Sequence, residues 1–366
     1  MATELRLCYS PDYLQHVAES LSRDTGILPR DFVSFVTAGG WADFALKERM
    51  SRLTEALLHF LPGSYEEDLE ILGRLLPDIS TDRFKYSDML AMFVPGYVVA
   101  RGQDKLDISL EALAKFTALG TTSELAIRPF IQAHPDMVMK RMLEWSGHQH
   151  PHIRRFSSEG CRPRLPWAMA LPALKKDPAP ILPILERLRQ DDSKFVQKSV
   201  ANNLNDITKD NPDTALAFAE KWIGSHKNSD WIIKHGMRSL LKQGNKRALT
   251  LFGSGPVTVK TTSLTLSHQQ ITMGNVLEFQ FRALLEEPLP ETLRIDYAID
   301  FMKSSGKPSR KVFRISDISG PDTDISFSKS YRFEDLTTRK HYAGEHRISV
   351  ILNGQEVTAA TFTLHM

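Results

Sequence analysis

The stretch of this sequence richest in chemically useful side chains is HIRRFSSEGCRPRLPW, residues 152–167. It sets Arg154, Arg155, Arg162 and Arg164 around a single acid, Glu159, with a large aromatic, Trp167, close behind. On a helix Arg155 and Glu159 stand four apart and share a face. Pro163 and Pro166 stop that helix and start the next, since proline suits a first helical turn and not an interior, and this puts Trp167 in a first turn. A carboxylate, an indole and several guanidiniums then converge at one helix–helix junction. The competing reading is a surface ion pair beside a core tryptophan.

A second helix adds to the first. Val196, Val200, Leu204 and Ile207 recur at helical spacing as a buried stripe, while Ser199, Asn202, Asn203 and Asp206 form a polar one. Short polar side chains have low helix propensity, and a merely solvated face is better served by Lys or Glu. A polar stripe lining a cavity explains the choice; a capping or turn role is the alternative. Upstream, TSELAIRPF sets Glu124 and Arg128 at i,i+4, which on its own is an ordinary helix-surface pair.

Other chemistries find less support. His148, His150 and His152 alternate, but no Cys or carboxylate stands at complementary metal spacing, so a solvated loop is the better reading. Cys161 has no triad partners that would make it a nucleophile. Gly39-Gly40 precedes Trp41 without the lysine and serine of a phosphate loop. No metal and no cofactor are expected.

The elements that must position these residues come in two kinds. Up to about residue 252 the hydrophobic period is helical. Asp43 to Phe60 carries Phe44, Leu53, Leu57, Leu58 and Phe60 among charges and ends at Pro62-Gly63, a stop signal. Three later segments each join two amphipathic helices through a polar turn: ALPALKKDPAPILPILERL, ANNLNDITKDNPDTALAFAEKW and MRSLLKQGNKRALTLF. Their turns recur 34 residues apart (Pro178 to Pro212) and 33 apart (Ala215 to Ala248), with an earlier turn at Ala133-His134-Pro135. Such periods predict a HEAT- or armadillo-like solenoid over residues 1–252, an irregular helical bundle being the alternative.

Gly253-Ser254-Gly255-Pro256 breaks the helical pattern, and the period changes to two. Leu277, Phe279 and Phe281 alternate with polar residues, as do Leu293, Ile295, Tyr297, Ile299 and Phe301. Ile348, Val350 and Leu352 lead into Asn353-Gly354, a tight-turn signal, before a last strand near 360–364. About seven short strands predict an immunoglobulin-like β-sandwich over residues 257–366. Within it Lys303, Lys307, Arg310, Lys311 and Arg314 fall in an acid-free run that reads as a basic hairpin loop, suited to a phosphate backbone or simply to solubility.

With 366 residues the chain exceeds one ordinary core, and its net charge of +2 leaves any nucleic-acid surface to local clustering. No apolar run is long enough for a membrane span, the N-terminus does not read as a secretory signal, and Cys8 and Cys161 form no spaced pair. A reducing, cytoplasmic setting without membrane attachment is expected.

LKERM at 46–50, TSELAIRPF at 122–130, HIRRFSSEGCRPRLPW at 152–167 and VQKSVANNLND at 196–206 together resemble the AlkC branch of the alkylpurine DNA glycosylases with HEAT-like repeats. The appended sandwich resembles that of one AlkC subgroup and is absent from the shorter AlkD relatives. The resemblance implies hydrolysis of the N-glycosidic bond of positively charged lesions, chiefly 3-methyladenine and 3-methylcytosine, in double-stranded DNA without base flipping. It implies Glu124, Glu159, Trp167 and Asp206 around the lesion. Arg154, Arg155, Arg162, Arg164 and Asn203, with Lys303, Lys307, Arg310 and Lys311, are the residues expected at the DNA, in a protein acting as a monomer. The rival expectation is a non-enzymatic solenoid that binds DNA or protein.

Overall fold

A computed structural model describes residues 2–61, 63–287, 291–320, 322–336 and 339–366. Its first part is helical throughout. The elements are α1 (Ala2–Leu7), α2 (Pro11–Thr25), α3 (Pro29–Thr37), α4 (Leu46–Phe60), α5 (Tyr65–Ile79), α6 (Ser87–Leu90) and α7 (Phe93–Arg101). They continue as α8 (Leu106–Ala118), α9 (Ile127–Ala133), α10 (Pro135–Trp145), α11 (Pro151–Glu159), α12 (Pro172–Lys176), α13 (Leu182–Leu188) and α14 (Lys194–Asp210). The last are α15 (Pro212–Trp222), α16 (Lys227–Gly236), α17 (Arg238–Lys242) and α18 (Lys246–Leu251).

Local chemistry explains where these helices start. Ser10 and Ser64 accept bonds from the third helical N–H of α2 and α5, and Glu67 returns a bond to Ser64. Proline occupies the first turn of α2, α3, α10, α11 and α12, where its missing N–H costs nothing. α4 buries Leu53 and Leu57 as its spacing predicts, whereas Leu58 is exposed; Pro62 of the expected stop signal lies outside the described residues. The predicted helix pairs are present at each turn: α9/α10 across His134, α12/α13 around Pro178, α14/α15 at Pro212 and α17/α18 at Gly244.

One expectation about this region is overturned. Pro166 does not start a helix; residues 160–171 form an irregular connection and α12 begins six residues later, at Pro172. The same proline preference operates there, at a position where the following residues can complete a turn. Trp167 instead takes a left-handed backbone, φ 65°.

The β-region comprises β1 (Val259–Leu266), β2 (Gln270–Thr272), β3 (Val276–Leu285), β4 (Leu293–Met302), β5 (Pro308–Ile318), β6 (Asp324–Arg332), β7 (Gly344–Leu352) and β8 (Gln355–His365). One sheet has the order β1-β3-β6, the other β2-β8-β7-β4-β5, and every pairing is antiparallel except β2 with β8. Alternation decides the core: Leu277, Phe279 and Phe281 of β3 are buried together with Ile295, Tyr297, Ile299 and Phe301 of β4. Asn353 and Gly354, at φ 44° and 79°, make the tight turn between β7 and β8. The sheet also buries Arg294 and Asp296 as a bidentate pair at 2.6 and 2.8 Å, where simple alternation would have faced both to solvent.

The last helix ends at Leu251 and the first strand starts at Val259, so secondary structure changes where the glycine-rich break stands. Compactness divides the chain differently: residues 1–214 and 222–236 form one unit, residues 215–221 and 237–366 the other. No described helix is long and apolar enough to cross a membrane.

Candidate active site

Two helices of the first unit carry most of the expected site. α11 packs against α14, and Asn203 of the α14 polar stripe lies in that contact. Asn203 is fully buried and its amide donates to the Ser158 carbonyl at 2.7 Å, so this side chain ties the helices together and is not placed to meet a ligand. Ser199 is buried as well. Asn203 and Asp206 of the stripe are therefore held by the end of α11 and the residues just after it, and do not stand open to a cavity.

Along that interface charges alternate. Glu124, in the turn before α9, accepts from Arg155. Arg155 faces Glu159 at 3.9 Å, Glu159 bonds Arg162 at 2.6 Å, Arg162 bonds Asp206 at 2.9 Å, and Asp206 meets Lys209 at 2.9 Å. The three carboxylates are 3%, 7% and 1% exposed for Glu124, Glu159 and Asp206. Burial opposes the charge on Arg162, but Glu159 and Asp206 on either side outweigh it, and its pKa is raised. Sequence spacing found Arg155 with Glu159, while the link from Arg155 to Glu124 spans 31 positions and had no local signal.

The other arginines are also held. Arg154 makes a bidentate pair with Asp191 at 2.6 and 3.1 Å, and Arg164 one with Asp210 at 2.7 and 2.6 Å. Arg155 lies over the Phe195 ring at 4.4 Å. The expected Glu124–Arg128 pair is not made: α9 begins only at Ile127, and Arg128 turns inward to main-chain carbonyls.

One cleft borders the network, and a second adjoins the first. The first, of about 470 Å³, has Glu124 and Arg155 in its lining together with Tyr86, His152 and Phe195. The second, of about 440 Å³, is lined by Lys47, Met50, Trp167 and Met169, and Thr122 borders both. Trp167 is 48% exposed, and its carbonyl accepts from Lys47. It is thus neither a core tryptophan nor a first-turn helical residue. Lys47 and Phe195 were not singled out by residue type, and Arg128 was read only as a surface partner of Glu124. For Arg128 a signal existed: a lone charge between Ile127 and Phe130 in an apolar run.

Cys161 is no nucleophile, because burial pushes its thiol up to about 12 despite a hydrogen bond from Asn203. His148 and His150 accept from main-chain N–H groups at 2.9 and 3.3 Å, and His150 caps α11.

In the sandwich the basic run folds as the β4–β5 hairpin, pairing Met302 with Pro308. Lys303 and Lys307 flank its exposed turn. Arg310 and Lys311 lie on β5 itself, and Arg310 bonds Glu356 at 2.6 Å with Asp300 at 3.6 Å. Arg310, in a run free of acids in sequence, is thus met by acids across the strands, while Lys311 lies over the Phe313 ring at 5.5 Å and Lys303 and Lys307 stay exposed at the turn.

Residues 90–240 match the family described as "DNA alkylation repair enzyme", and residues 260–366 match the C-terminal Ig-like domain described for the uncharacterised protein YhaZ. The chain is 42% identical over 326 residues to YhaZ of Bacillus subtilis (strain 168), which covers 88% of each chain. It is also similar to the Pseudomonas fluorescens alkylpurine DNA glycosylase AlkC, solved bound to DNA containing an abasic site analogue. That likeness has 36% identity and a TM-score of 0.92 over 99% of each chain. With helices followed by an Ig-like sandwich and relatives alike over most of its length, the chain belongs to the AlkC family of alkylpurine DNA glycosylases.

Proposed function

We propose that this chain hydrolyses the N-glycosidic bond of positively charged alkylated bases, 3-methyladenine and 3-methylcytosine, in double-stranded DNA. Residues 1–252 are the catalytic region and 257–366 the region that adds grip on DNA. The observation that carries this reading is the buried line of three carboxylates, Glu124, Glu159 and Asp206, threaded by Arg155 and Arg162. Family membership supports it.

The chemistry needs little more. A base that already bears positive charge leaves with the bonding electron pair and becomes neutral, so no general acid is required. The sugar left behind develops oxocarbenium character, which fixed carboxylates in a poorly hydrated setting stabilise strongly. Water then adds to the anomeric carbon and gives its proton to a carboxylate. The exposed Trp167 indole can face the cationic sugar, a contribution of about 1–2 kcal/mol when desolvated. The exposed setting of Trp167, in a cleft rather than a closed pocket, favours attack on a lesion left in or near the stack over extrusion into a tight cavity. Arg154, Arg155, Arg162 and Arg164 shape the positive rim near the backbone; since each is bonded to a carboxylate, a phosphate must share or replace that partner. The charged network is complete within one chain, consistent with action as a monomer. Among the described residues neither Cys8 nor Cys161 forms a disulfide, which suits the reducing compartment that holds a chromosome.

The test is direct. Duplex DNA treated with a methylating agent is incubated with the purified chain, and released bases are separated by chromatography. Release of 3-methyladenine and 3-methylcytosine, with none from untreated duplex, is the expected result. DNA binding without base release would favour a non-enzymatic scaffold.

A further inference from the structure

Arg128 is among the largest fully buried side chains of the protein, at 0% exposure. No carboxylate among the described residues bonds it. Its Nη1 donates to the carbonyls of Gly160 at 3.0 Å and Arg162 at 2.8 Å, and its Nε to the carbonyl of Met169 at 2.6 Å. Nη2 has no partner among the described residues. Burial pulls its pKa down to about 10, which still leaves it charged at neutral pH. A buried guanidinium without a bonded carboxylate is a poor device for stability, and an apolar side chain would fill the same volume at less cost. Its position therefore asks for another explanation.

The three carbonyls stand at the two ends of one segment. Gly160 and Arg162 open the connection between α11 and α12, and Met169 lies near its close. Between them the chain has no helix or strand, and Trp167 adopts a positive φ that a bulky residue holds only when its surroundings impose it. The Leu171 N–H closes the segment on the Pro163 carbonyl at 3.3 Å, and Lys47 binds the Trp167 carbonyl from outside. The Gly160 carbonyl also belongs to the C-terminal end of α11, where a cation is favourable.

We infer that Arg128 is a positioning residue: its guanidinium sets the span of the Gly160–Met169 segment and so holds Arg162 on Glu159 and Asp206 and Trp167 in its open cleft. It touches neither DNA nor the reacting atoms. The inference rests on the excision chemistry proposed above for Glu159, Asp206 and Trp167, and it names what keeps them in register. A lysine at this position is a compact charge on a flexible stem and cannot present donors to both ends of the segment at once.

The experiment compares the full-length parent, Arg128→Lys, Pro166→Gly and Glu159→Gln, each labelled with fluorotryptophan. The five tryptophans give separate fluorine resonances, and Trp167→Phe assigns the one that matters. Single-turnover excision at saturating protein, DNA affinity and melting temperature are measured on the same preparations. Arg128→Lys is expected to lower excision by roughly 10²-fold, the scale of a misplacement of about 1 Å, with affinity held within about threefold. The Trp167 resonance should move or broaden while the other four stay. Glu159→Gln should lose excision with an unmoved Trp167 resonance, which separates chemistry from positioning. Should the parent itself release no base, the functional reading fails, and the Trp167 resonance of Arg128→Lys still decides whether the clamp exists. A parent-like Trp167 resonance, or a parent-like rate, in folded Arg128→Lys overturns the inference. If Arg128→Lys does not fold, Pro166→Gly loosens the same segment from its exposed side. It should reproduce the Trp167 change with a smaller loss of rate, and a mobile Trp167 with an undiminished rate would likewise overturn the inference.

Discussion

The helical unit and the sandwich both set arginines beside carboxylates, yet they use charge in opposite ways. Around α11 and α14 the carboxylates are buried and the guanidiniums of Arg155 and Arg162 lie between acids, from Glu124 through Arg155, Glu159 and Arg162 to Asp206. Charges paired in this way are set in place before a ligand arrives, so they act on what develops next to them. In the sandwich the β4–β5 turn leaves Lys303 and Lys307 exposed, while Arg310 and Arg347 settle on Asp300 and Glu356. Exposed lysines on flexible stems suit a phosphate backbone, whose attraction falls with salt. The lesson is that fixed, desolvated charge suits a transition state and mobile, hydrated charge suits affinity.

That contrast can be broken first on the sandwich side. Replacing Lys303, Lys307 and Lys311 with Ala should flatten the salt dependence of DNA binding by up to about 2.7 in log–log slope, at roughly 0.9 per phosphate. At low salt this corresponds to a loss of affinity on the order of 10²-fold, with excision at saturating protein much less affected. Arg310→Ala should instead cost sandwich stability, since Arg310 is already bonded to Glu356. Titrations across a salt series decide it: an unchanged slope for the triple variant reduces the turn to a solubilising surface.

On the helical side, Trp167→Phe should slow excision roughly tenfold through a weaker cation–π face. Its melting temperature should stay near that of the parent, because Trp167 is 48% exposed and no core packing is lost. A large melting shift with a normal rate would return Trp167 to a packing role.

The smallest effect concerns acid. His341 and His346 are buried among Phe301, Phe333 and Phe362, and burial holds both imidazoles below their usual value. Arg339 adds to this for His341 and Asp335 opposes it, while the Tyr342 carbonyl opposes it for His346. The unfolded chain takes up protons near pH 6.5 that the folded sandwich resists. Stability is therefore complete above about pH 6.5 and declines below it, by up to about 1.4 kcal/mol per pH unit for each histidine. Thermal melts from pH 7.5 to 5.5 should show this decline, and His341→Phe should lessen it; equal slopes for the two proteins would contradict the assignment.

Much of the architecture was legible because it follows from spacing. Proline and asparagine turns marked the helix pairs, two-residue alternation marked β3 and β4, and Asn353-Gly354 marked the β7–β8 turn. Less legible was anything decided by contacts distant in sequence. Pro166 carries the same preference as Pro172, but only at Pro172 does a helix follow; the stretch before it is shaped instead by Arg128 and Lys47. The polar stripe of α14 was visible as a stripe, though Asn203 and Asp206 within it proved to be buried on Ser158 and Arg162 and not open to a cavity. The run from Lys303 to Arg314 lacks acids along the chain but gains them from neighbouring strands, which pairing register alone supplies.

Single-turnover base release by Glu159→Gln, set against the parent on the same methylated duplex, tests the central claim most directly. Arg162 keeps Asp206 and Arg155 keeps Glu124 in this variant, so the fold and the grip on DNA should survive. Loss of one fixed negative charge should then slow base release by about 10²–10³-fold, with DNA affinity within a few-fold of the parent. A folded Glu159→Gln protein that releases base at the parent rate would contradict the account.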